Sequence, residues 1–226
     1  MRNYKVTAWL SSHLAGDAPE LDSLIGREIA YKTGKRAGRK IGRHTPIEEI
    51  EDIKAPIARR SINGFHVMCC SFPIISDSVI PEQVDRIACR FESTKLSVLL
   101  GYEHRCSLAS TKGNYKSRFL PVRVRHADRV VWFFRGVRKP IKNLLKSIDS
   151  IGQYRKIGYG QVCNWDMEEI ENDFSIFAEY GDTTILMRPI PIECVPDNLS
   201  GYTRSFGAWR SPYWHAGFYQ DVAVPR

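Results

Sequence analysis

The chain has 226 residues, of which 43% are apolar, so it can bury a core and is not a disordered tail. Its 33 Lys and Arg against 25 Asp and Glu leave a net charge of +8, which favours a polyanionic partner. With no signal peptide and no apolar run of about 18 residues, we expect a cytoplasmic protein without a membrane span.

The first part of the chain predicts a strand, a helix and a basic loop. Residues 4–11 alternate, with Val6, Ala8 and Leu10 on one face, which predicts an opening strand. Leucine and isoleucine recur at helical spacing over residues 21–29 and predict a short helix. Three glycines and a proline predict a loop over 33–46, inside a basic insertion at about 31–60.

The middle of the chain is less regular. Residues 65–72 are continuously apolar, which predicts a central strand. Residues 87–102 are compatible with a further hairpin, and the polar stretch 106–116 has the chemistry of a loop.

The second half predicts a strand, a helix, a loop and a strand in succession, which is half of a split βαβ unit. The strand spans 129–135, and Pro140 lies in the first turn of a helix with an apolar stripe from Ile141 to Ile148. A glycine-bearing loop over 150–160 precedes a strand over 161–165. Residues 174–180 and 183–192 then predict a hairpin that turns at 181–182.

Positive charge is concentrated in two zones. Residues 31–44 contain six Lys and Arg and no acid, and residues 102–146 contain twelve against two acids. Acidic residues gather between these zones and beyond them, at 48–52 and 166–173. This distribution is typical of a surface that binds a polyanion, although a soluble basic surface without a partner is the alternative.

The loop over 150–160 has the sequence S-I-G-Q-Y-R-K-I-G-Y-G and carries the functional argument. Glycines allow a close backbone approach, and Arg155 with Lys156 and exposed N–H groups would form a phosphate cradle. Tyr154 and Tyr159 could stack on unpaired bases. The alternative is a loop that is rich in glycine only because the chain must turn.

This loop resembles one in the RAMP superfamily of CRISPR-associated proteins, which reads Gly-hydrophobic-Gly, five residues including a cation, then Gly-x-Gly. Residues 151–160 fit, whereas Ser150 stands where the first glycine is usual. Residues 6–17, 188–193 and 211–214 are similar to one branch, the small Cas five-type subunit of type IV CRISPR effector complexes. The resemblance implies a single α+β domain over 1–226, with a ferredoxin-like, RRM-related antiparallel sheet and helices on one face.

The resemblance also implies that the protein caps the 5′ handle of the crRNA and contacts the repeating backbone subunit and the large subunit. Contact with a target DNA duplex near the protospacer is left open. We expect no enzymatic activity. The residues implied to bind RNA are the loop and the basic zones: Gly152, Tyr154, Arg155, Lys156, Gly158, Tyr159, Gly160, Lys32, Lys35, Arg36, Arg39, Lys40, Arg43, His44, Lys112, Lys116 and Arg118.

Two other functions remain open: a metal-independent crRNA endonuclease that uses His13 or His44, and a basic adaptor that binds only proteins. We expect no cofactor and no metal. Six cysteines lack zinc-site spacing and indicate free, buried thiols, and no Walker-type phosphate loop is present. The aromatic residues over 209–219 favour core closure or a subunit interface over a base-stacking platform.

Overall fold

A computed structural model describes residues 1–37, 55–76, 81–89, 118–181, 183–199 and 201–226. These residues form an α+β protein with mostly antiparallel sheets. The described α-helices are Leu21–Ala37 (α1) and Arg138–Leu145 (α2). The described strands are Arg2–Leu10 (β1), Leu14–Ala15 (β2), Arg59–Ile62 (β3), Phe65–Met68 (β4), Ile74–Ile75 (β5), Gln83–Cys89 (β6), Arg118–Arg125 (β7), Arg129–Gly136 (β8), Val162–Ile170 (β9), Phe177–Tyr180 (β10), Thr183–Leu186 (β11), Ile190–Pro191 (β12), Tyr202–Ala208 (β13) and Tyr219–Pro225 (β14).

The largest described sheet has four strands in the order β5-β8-β1-β9. β1 pairs antiparallel with both neighbours, so that Val6 lies opposite Trp132 on β8 and Met167 on β9. β8 and β9 therefore run parallel to each other on either side of β1, and α2 connects them. The predicted strands at 4–11 and 129–135 and the predicted helix at Pro140 are confirmed. The spacing of apolar residues in these elements can be recognised in the sequence because only one face of each element packs against the core.

Both helices pack on the same face of this sheet. The buried core cluster combines Val6, Ala8 and Trp132 of the sheet with the apolar sides of both helices: Leu21, Leu24, Ile25, Ile141 and Leu145. The helix α1 is longer than predicted and continues to Ala37, so the prediction of a loop from residue 33 is wrong there. Tertiary contact explains part of this length. Lys32 pairs with Glu28 at 3.3 Å and its ammonium donates to Ser147 beyond α2 at 3.0 Å.

A second core cluster lies beneath the C-terminal part of the chain. It is closed by the β3–β4 hairpin, the β10–β11 hairpin and the three-stranded sheet β12-β14-β13. The hairpin predicted to turn at 181–182 is confirmed, because Tyr180 pairs with Thr183. Trp209 and Phe218 are 7% and 5% exposed, which fits the prediction that these aromatic residues close the core.

The prediction of a central strand over 65–72 is wrong. β4 ends at Met68 and pairs with β3 in a two-stranded hairpin. Apart from His66 and Ser71 the segment is apolar, because it runs between the two cores: Cys69 belongs to the second cluster and Cys70 to the first. Cys69, Cys70, Cys163 and Cys194 are free, and the expectation of burial holds for the first two and for Cys194, whereas Cys163 is exposed.

A buried ionic network joins the two cores at Arg188, which is 1% exposed. Its guanidinium donates to the carbonyl oxygens of Met68 and Cys70 at 2.5 and 3.1 Å and lies 3.4 Å from the Asp22 carboxylate on α1. The hydroxyl of Tyr213 accepts from Arg188 and donates to Asp22. Removing one member of such a group leaves a buried charge or dipole without its partner, which makes the network a strong determinant of the fold.

A smaller sheet, β2-β7-β6, lies beside the central sheet. β6 begins earlier than the predicted hairpin at 87–102, most of which lies outside the described residues, as does the polar stretch 106–116. None of the helices in the described part of the chain is long and apolar enough to cross a membrane.

Candidate nucleic-acid interface

The loop between α2 and β9 is held by backbone hydrogen bonds to the segment that follows β1. The N–H of Gly160 donates to the carbonyl of His13 at 2.8 Å, and the N–H of Gln153 donates to the carbonyl of Ala15 at 2.9 Å. The loop also closes on itself, because the N–H of Ile151 donates to the carbonyl of Gly160 at 2.8 Å. These bonds fix the ends of the loop. Its tip, residues 154–158, forms a single 3₁₀ turn.

The three glycines of the loop all have positive φ, but they do so for different reasons. A Cβ on Gly160 would overlap the carbonyl oxygen of Ile151, and one on Gly152 would lie 2.9 Å from the carbonyl oxygen of Ala15. These two glycines are therefore required by the fold. Around a Cβ on Gly158, with φ of 101°, no described atom lies within 4 Å. Gly158 thus leaves open space at the tip of the loop, next to Arg155 and Lys156.

An open cleft of about 780 Å³ lies along the loop. It is lined by residues that the sequence predicted together with neighbours that it did not: Asp149, Ser150, Gly152, Gln153, Tyr154, Arg155, Lys156, Ile157 and Gln161. Tyr154 is 39% exposed and is held in the left-handed region, with φ of 52°. A non-glycine residue in that region carries backbone strain, which is common where a side chain is presented to a ligand.

The electrostatics of the cleft extend to α1. Burial and the adjacent guanidinium of Arg155 lower the pKa of Arg27, while Glu28 and Asp149 oppose that change. Arg27 and Arg155 are thus like charges brought close together, and Lys156 adds a third cation. One carboxylate, that of Asp149, lines the same cleft and accepts a hydrogen bond from the hydroxyl of Ser150 at 3.0 Å. The cleft is consequently cationic with a single acidic edge, which suits a phosphate-bearing ligand better than a neutral one.

The two tyrosines of the loop have different surroundings. The side chain of Tyr154 lines the cleft. Tyr159 instead packs against the small buried cluster of Ala15, Val122 and Val124, and its hydroxyl donates a short hydrogen bond to Asp85 on β6. That bond raises the pKa of Tyr159. Of the two, Tyr154 is the more exposed.

A polar corner lies where the loop meets β6 and the end of β7. The rings of His13 and His126 have centroids 3.8 Å apart. The hydrogen bond from Tyr159 is the main cause that lowers the pKa of Asp85, and the nearby His13 contributes in the same direction. Four groups capable of proton transfer or hydrogen bonding therefore share this corner. In the described part of the chain, no three His, Cys, Asp or Glu residues are grouped as a metal would require.

Of the other predicted residues that the structure describes, Lys32 and Arg118 do not line the cleft. Lys32 is paired with Glu28 at the contact between α1 and α2, and Arg118 is exposed at the start of β7. Lys35 and Arg36 lie near the end of α1. The other predicted basic residues lie outside the described part of the chain: Arg39, Lys40, Arg43, His44, Lys112 and Lys116.

Sequence reasoning missed Arg27. This residue lies within the segment that carries the apolar stripe of α1 and precedes the basic zone at 31–44, so no local pattern sets it apart. Its proximity to Arg155 arises only because α1 and α2 share one face of the sheet. The sequence alone contains no signal for this contact, because it depends on how the two helices pack.

Fold and cleft together define an α+β protein with a cationic cleft along the glycine-rich loop between α2 and β9. A comparison with protein-family models matches residues 82–225 to the family described as CRISPR type IV associated protein Csf3. The match covers more than half of the chain and includes α2, the loop and β9. The chain therefore belongs to the Csf3 family and is associated with type IV CRISPR systems. A comparison with curated proteins finds no match.

Proposed function

We propose that this protein is a crRNA-binding subunit of a type IV CRISPR effector complex, of the Cas five type within the RAMP superfamily, which caps the 5′ handle of the guide RNA. In this proposal it contacts the repeating backbone subunit and the large subunit and is not itself an enzyme. Membership of the Csf3 family supports the association with other type IV subunits.

The single observation that carries the proposal is the cleft along the loop. Arg155 and Lys156 at its tip, with Arg27 behind them, would bind successive phosphates, and Tyr154 would stack on an unpaired base. Gly158 leaves room for a backbone-to-backbone approach at the same point. Single-stranded RNA is recognised in this way by proteins that combine cations with exposed aromatic rings.

The fold supports the same proposal. We infer that the four-stranded sheet and its helices form a ferredoxin-like unit, since the elements follow the order strand, helix, strand, strand, helix, strand (β1, α1, β5, β8, α2, β9). The sheet order β5-β8-β1-β9 supports this inference, with the first and last strands adjacent. The loop then follows the second helix of the unit, as the RAMP resemblance implies.

The test is RNA binding by the full chain carrying Arg155→Ala and Lys156→Ala together. A hydrogen bond to a charged group contributes roughly 1.5–3 kcal/mol, so we expect the affinity for a single-stranded repeat RNA to fall about tenfold to several hundredfold. Each phosphate contact on a single strand contributes about −0.7 to the slope of log affinity against log salt, and we expect a slope of about −3 or steeper for the wild-type chain. Arg2→Ala is the matched control, because Arg2 is an exposed cation paired with Glu169 on the central sheet.

Three outcomes separate the possibilities. A weaker, less salt-dependent interaction in the double variant supports the proposal. Wild-type affinity in the double variant would mean that the loop is only a turn. Purified protein that neither carries nor binds nucleic acid would favour the adaptor function instead.

A second candidate function, metal-independent cleavage of crRNA, is favoured by the corner of His13, His126, Tyr159 and Asp85. A histidine near neutral pH could accept the proton of the attacking 2′-hydroxyl while a second group protonates the leaving oxygen. We expect the wild-type chain to leave a repeat-containing RNA intact in chelator at neutral pH. A discrete cleavage product that disappears in His13→Ala or His126→Ala would instead support RNA cleavage as the function.

A further inference from the structure

The β6–β7 ribbon carries a second basic and aromatic surface, on the side away from the buried cluster that receives Tyr159. Val122 and Val124 of β7 are buried against that cluster, so the alternate residues of β7 face outward. Pairing places Ala88 opposite Phe119, Arg86 opposite Pro121 and Val84 opposite Arg123. Directly opposed residues share a face, so these six side chains form one outward surface, called the ribbon face below.

Two apolar side chains of the ribbon face are largely exposed. Phe119 is 64% exposed and Val84 is 63% exposed. The guanidinium of Arg86 lies over the ring of Phe119, 5.7 Å from its centroid. The exposed part of the ring provides an aromatic surface on which a base could stack.

The charge of the ribbon face is predominantly positive. Arg86, Arg123 and the adjoining Arg125 supply three cations, and Glu82 before β6 pairs with Arg125 at 3.7 Å. The other acid of this ribbon, Asp85, faces the opposite side, where it accepts from Tyr159. A row of cations along an extended ribbon, with an aromatic ring at one end, complements the phosphates and an unpaired base of a single strand.

We propose that the ribbon face binds single-stranded nucleic acid by stacking one base on Phe119 and holding the phosphates that follow along the ribbon with Arg86 and Arg123. This surface is distinct from the cleft along the loop, whose lining residues include none of the ribbon residues. The inference rests on the proposed function in that it supposes a nucleic-acid ligand, and it adds a second contact. The strand could be the guide RNA or a strand of a DNA target, since both present unpaired bases and phosphates.

The test measures binding of the full chain to a 12-nucleotide oligouridylate and to the matching oligodeoxythymidylate. Phe119→Leu keeps an apolar side chain and removes the aromatic face. Stacking of a base on an aromatic side chain contributes enough that we expect the affinity to fall about fivefold to a hundredfold. Arg123→Gln should in addition reduce the magnitude of the salt slope by about 0.7, a change that a purely structural role would not cause.

A matched control is available on another sheet. Phe206 of β13 is 70% exposed, so Phe206→Leu removes an equally exposed ring at a place outside both surfaces. We expect Phe206→Leu to bind both oligonucleotides like the wild-type chain. Thermal unfolding of all variants should match the wild type, because each changed side chain is exposed.

The outcomes distinguish this inference from the proposed function. A loss with Phe119→Leu on the RNA probe identifies the guide as the source, and a loss confined to the DNA probe identifies a target strand; either supports the inference. Equal binding by Phe119→Leu, Phe206→Leu and the wild type would overturn it, even where the loop variant Arg155→Ala, Lys156→Ala still weakens binding. Loss with Phe119→Leu but not with the loop variant would overturn the cleft as the RNA site and leave the ribbon face standing.

Discussion

Substituting alanine at each glycine of the loop should separate the glycine that serves the ligand from those that serve the fold. Gly158→Ala and Gly160→Ala place the same methyl group two residues apart, both at positive φ. The structure predicts that they fail in different assays. Gly160→Ala should lose stability, whereas Gly158→Ala should lose RNA affinity with a smaller loss of stability.

The expected magnitudes follow from the surroundings of each methyl group. At Gly158 the only cost is a non-glycine residue in the left-handed region, roughly 1–2 kcal/mol, because no described atom lies within 4 Å of the new Cβ. At Gly160 the same strain is joined by overlap with the carbonyl oxygen of Ile151. Relief of that overlap would disturb the hydrogen bonds from Gly160 to His13 and from Ile151 to Gly160, each worth roughly 0.5–1.5 kcal/mol. We therefore expect Gly160→Ala to destabilise the protein by about 3 kcal/mol or more.

Gly64 provides the control for backbone strain. It has φ of 84°, no described atom lies within 4 Å of its added Cβ, and it belongs to the β3–β4 turn, which does not line the cleft. Gly64→Ala should lower the free energy of unfolding about as much as Gly158→Ala and leave RNA binding unchanged. Stability is measured by denaturant unfolding, and RNA affinity is measured at a temperature where all three variants are folded. If Gly158→Ala and the bulkier Gly158→Val bind RNA as Gly64→Ala does, then the open space at Gly158 is not used by the ligand.

The remaining predictions concern the buried network between the two cores and, for comparison, one exposed ion pair. Burial, and to a smaller extent the neighbouring Asp22, raise the pKa of Glu20 from 4.5 to about 8. The folded state therefore binds the proton of Glu20 more tightly than the unfolded state does. As a result, the free energy of unfolding should fall as the pH rises from 5 to 8. Urea unfolding at both pH values should show the wild type losing up to about 3 kcal/mol more than Glu20→Gln, and parallel curves would refute this assignment. Asp22→Ala should cost roughly 3–5 kcal/mol because it leaves the charge of Arg188 buried without its partner. Glu168→Gln, which breaks an exposed pair with Lys5, should cost less than about 1 kcal/mol in the same unfolding assay.

The sequence predicted those strands and helices that each pack against a single hydrophobic core. β1 and β8 alternate in burial along their length, and α2 presents Ile141 and Leu145 at helical spacing. These patterns are local, so they can be recognised without knowledge of the packing. The loop was recognised for the same reason, because its glycines and cations are adjacent in the sequence.

The parts that were missed depend on contacts between distant segments. The apolar run at 65–72 indicated a central strand, but Cys69 and Cys70 face different cores, and a sequence does not reveal how many cores a chain forms. The extension of α1 to Ala37 is supported by the contact of Lys32 with Ser147. Gly158 and Gly160 look alike in sequence, and only the position of the Ile151 carbonyl oxygen distinguishes their roles.

The proximity of the like charges of Arg27 and Arg155 is relevant to whether the loop serves only as a turn. A turn needs glycines at positive φ and backbone hydrogen bonds, and Gly152 and Gly160 already provide these. It does not need a guanidinium at its tip whose proximity helps to lower the pKa of an arginine on α1. That repulsion opposes folding, and the carboxylates of Glu28 and Asp149 act against it. A bound phosphate would act in the same direction as these carboxylates, which supports the proposal that the loop binds an anionic ligand.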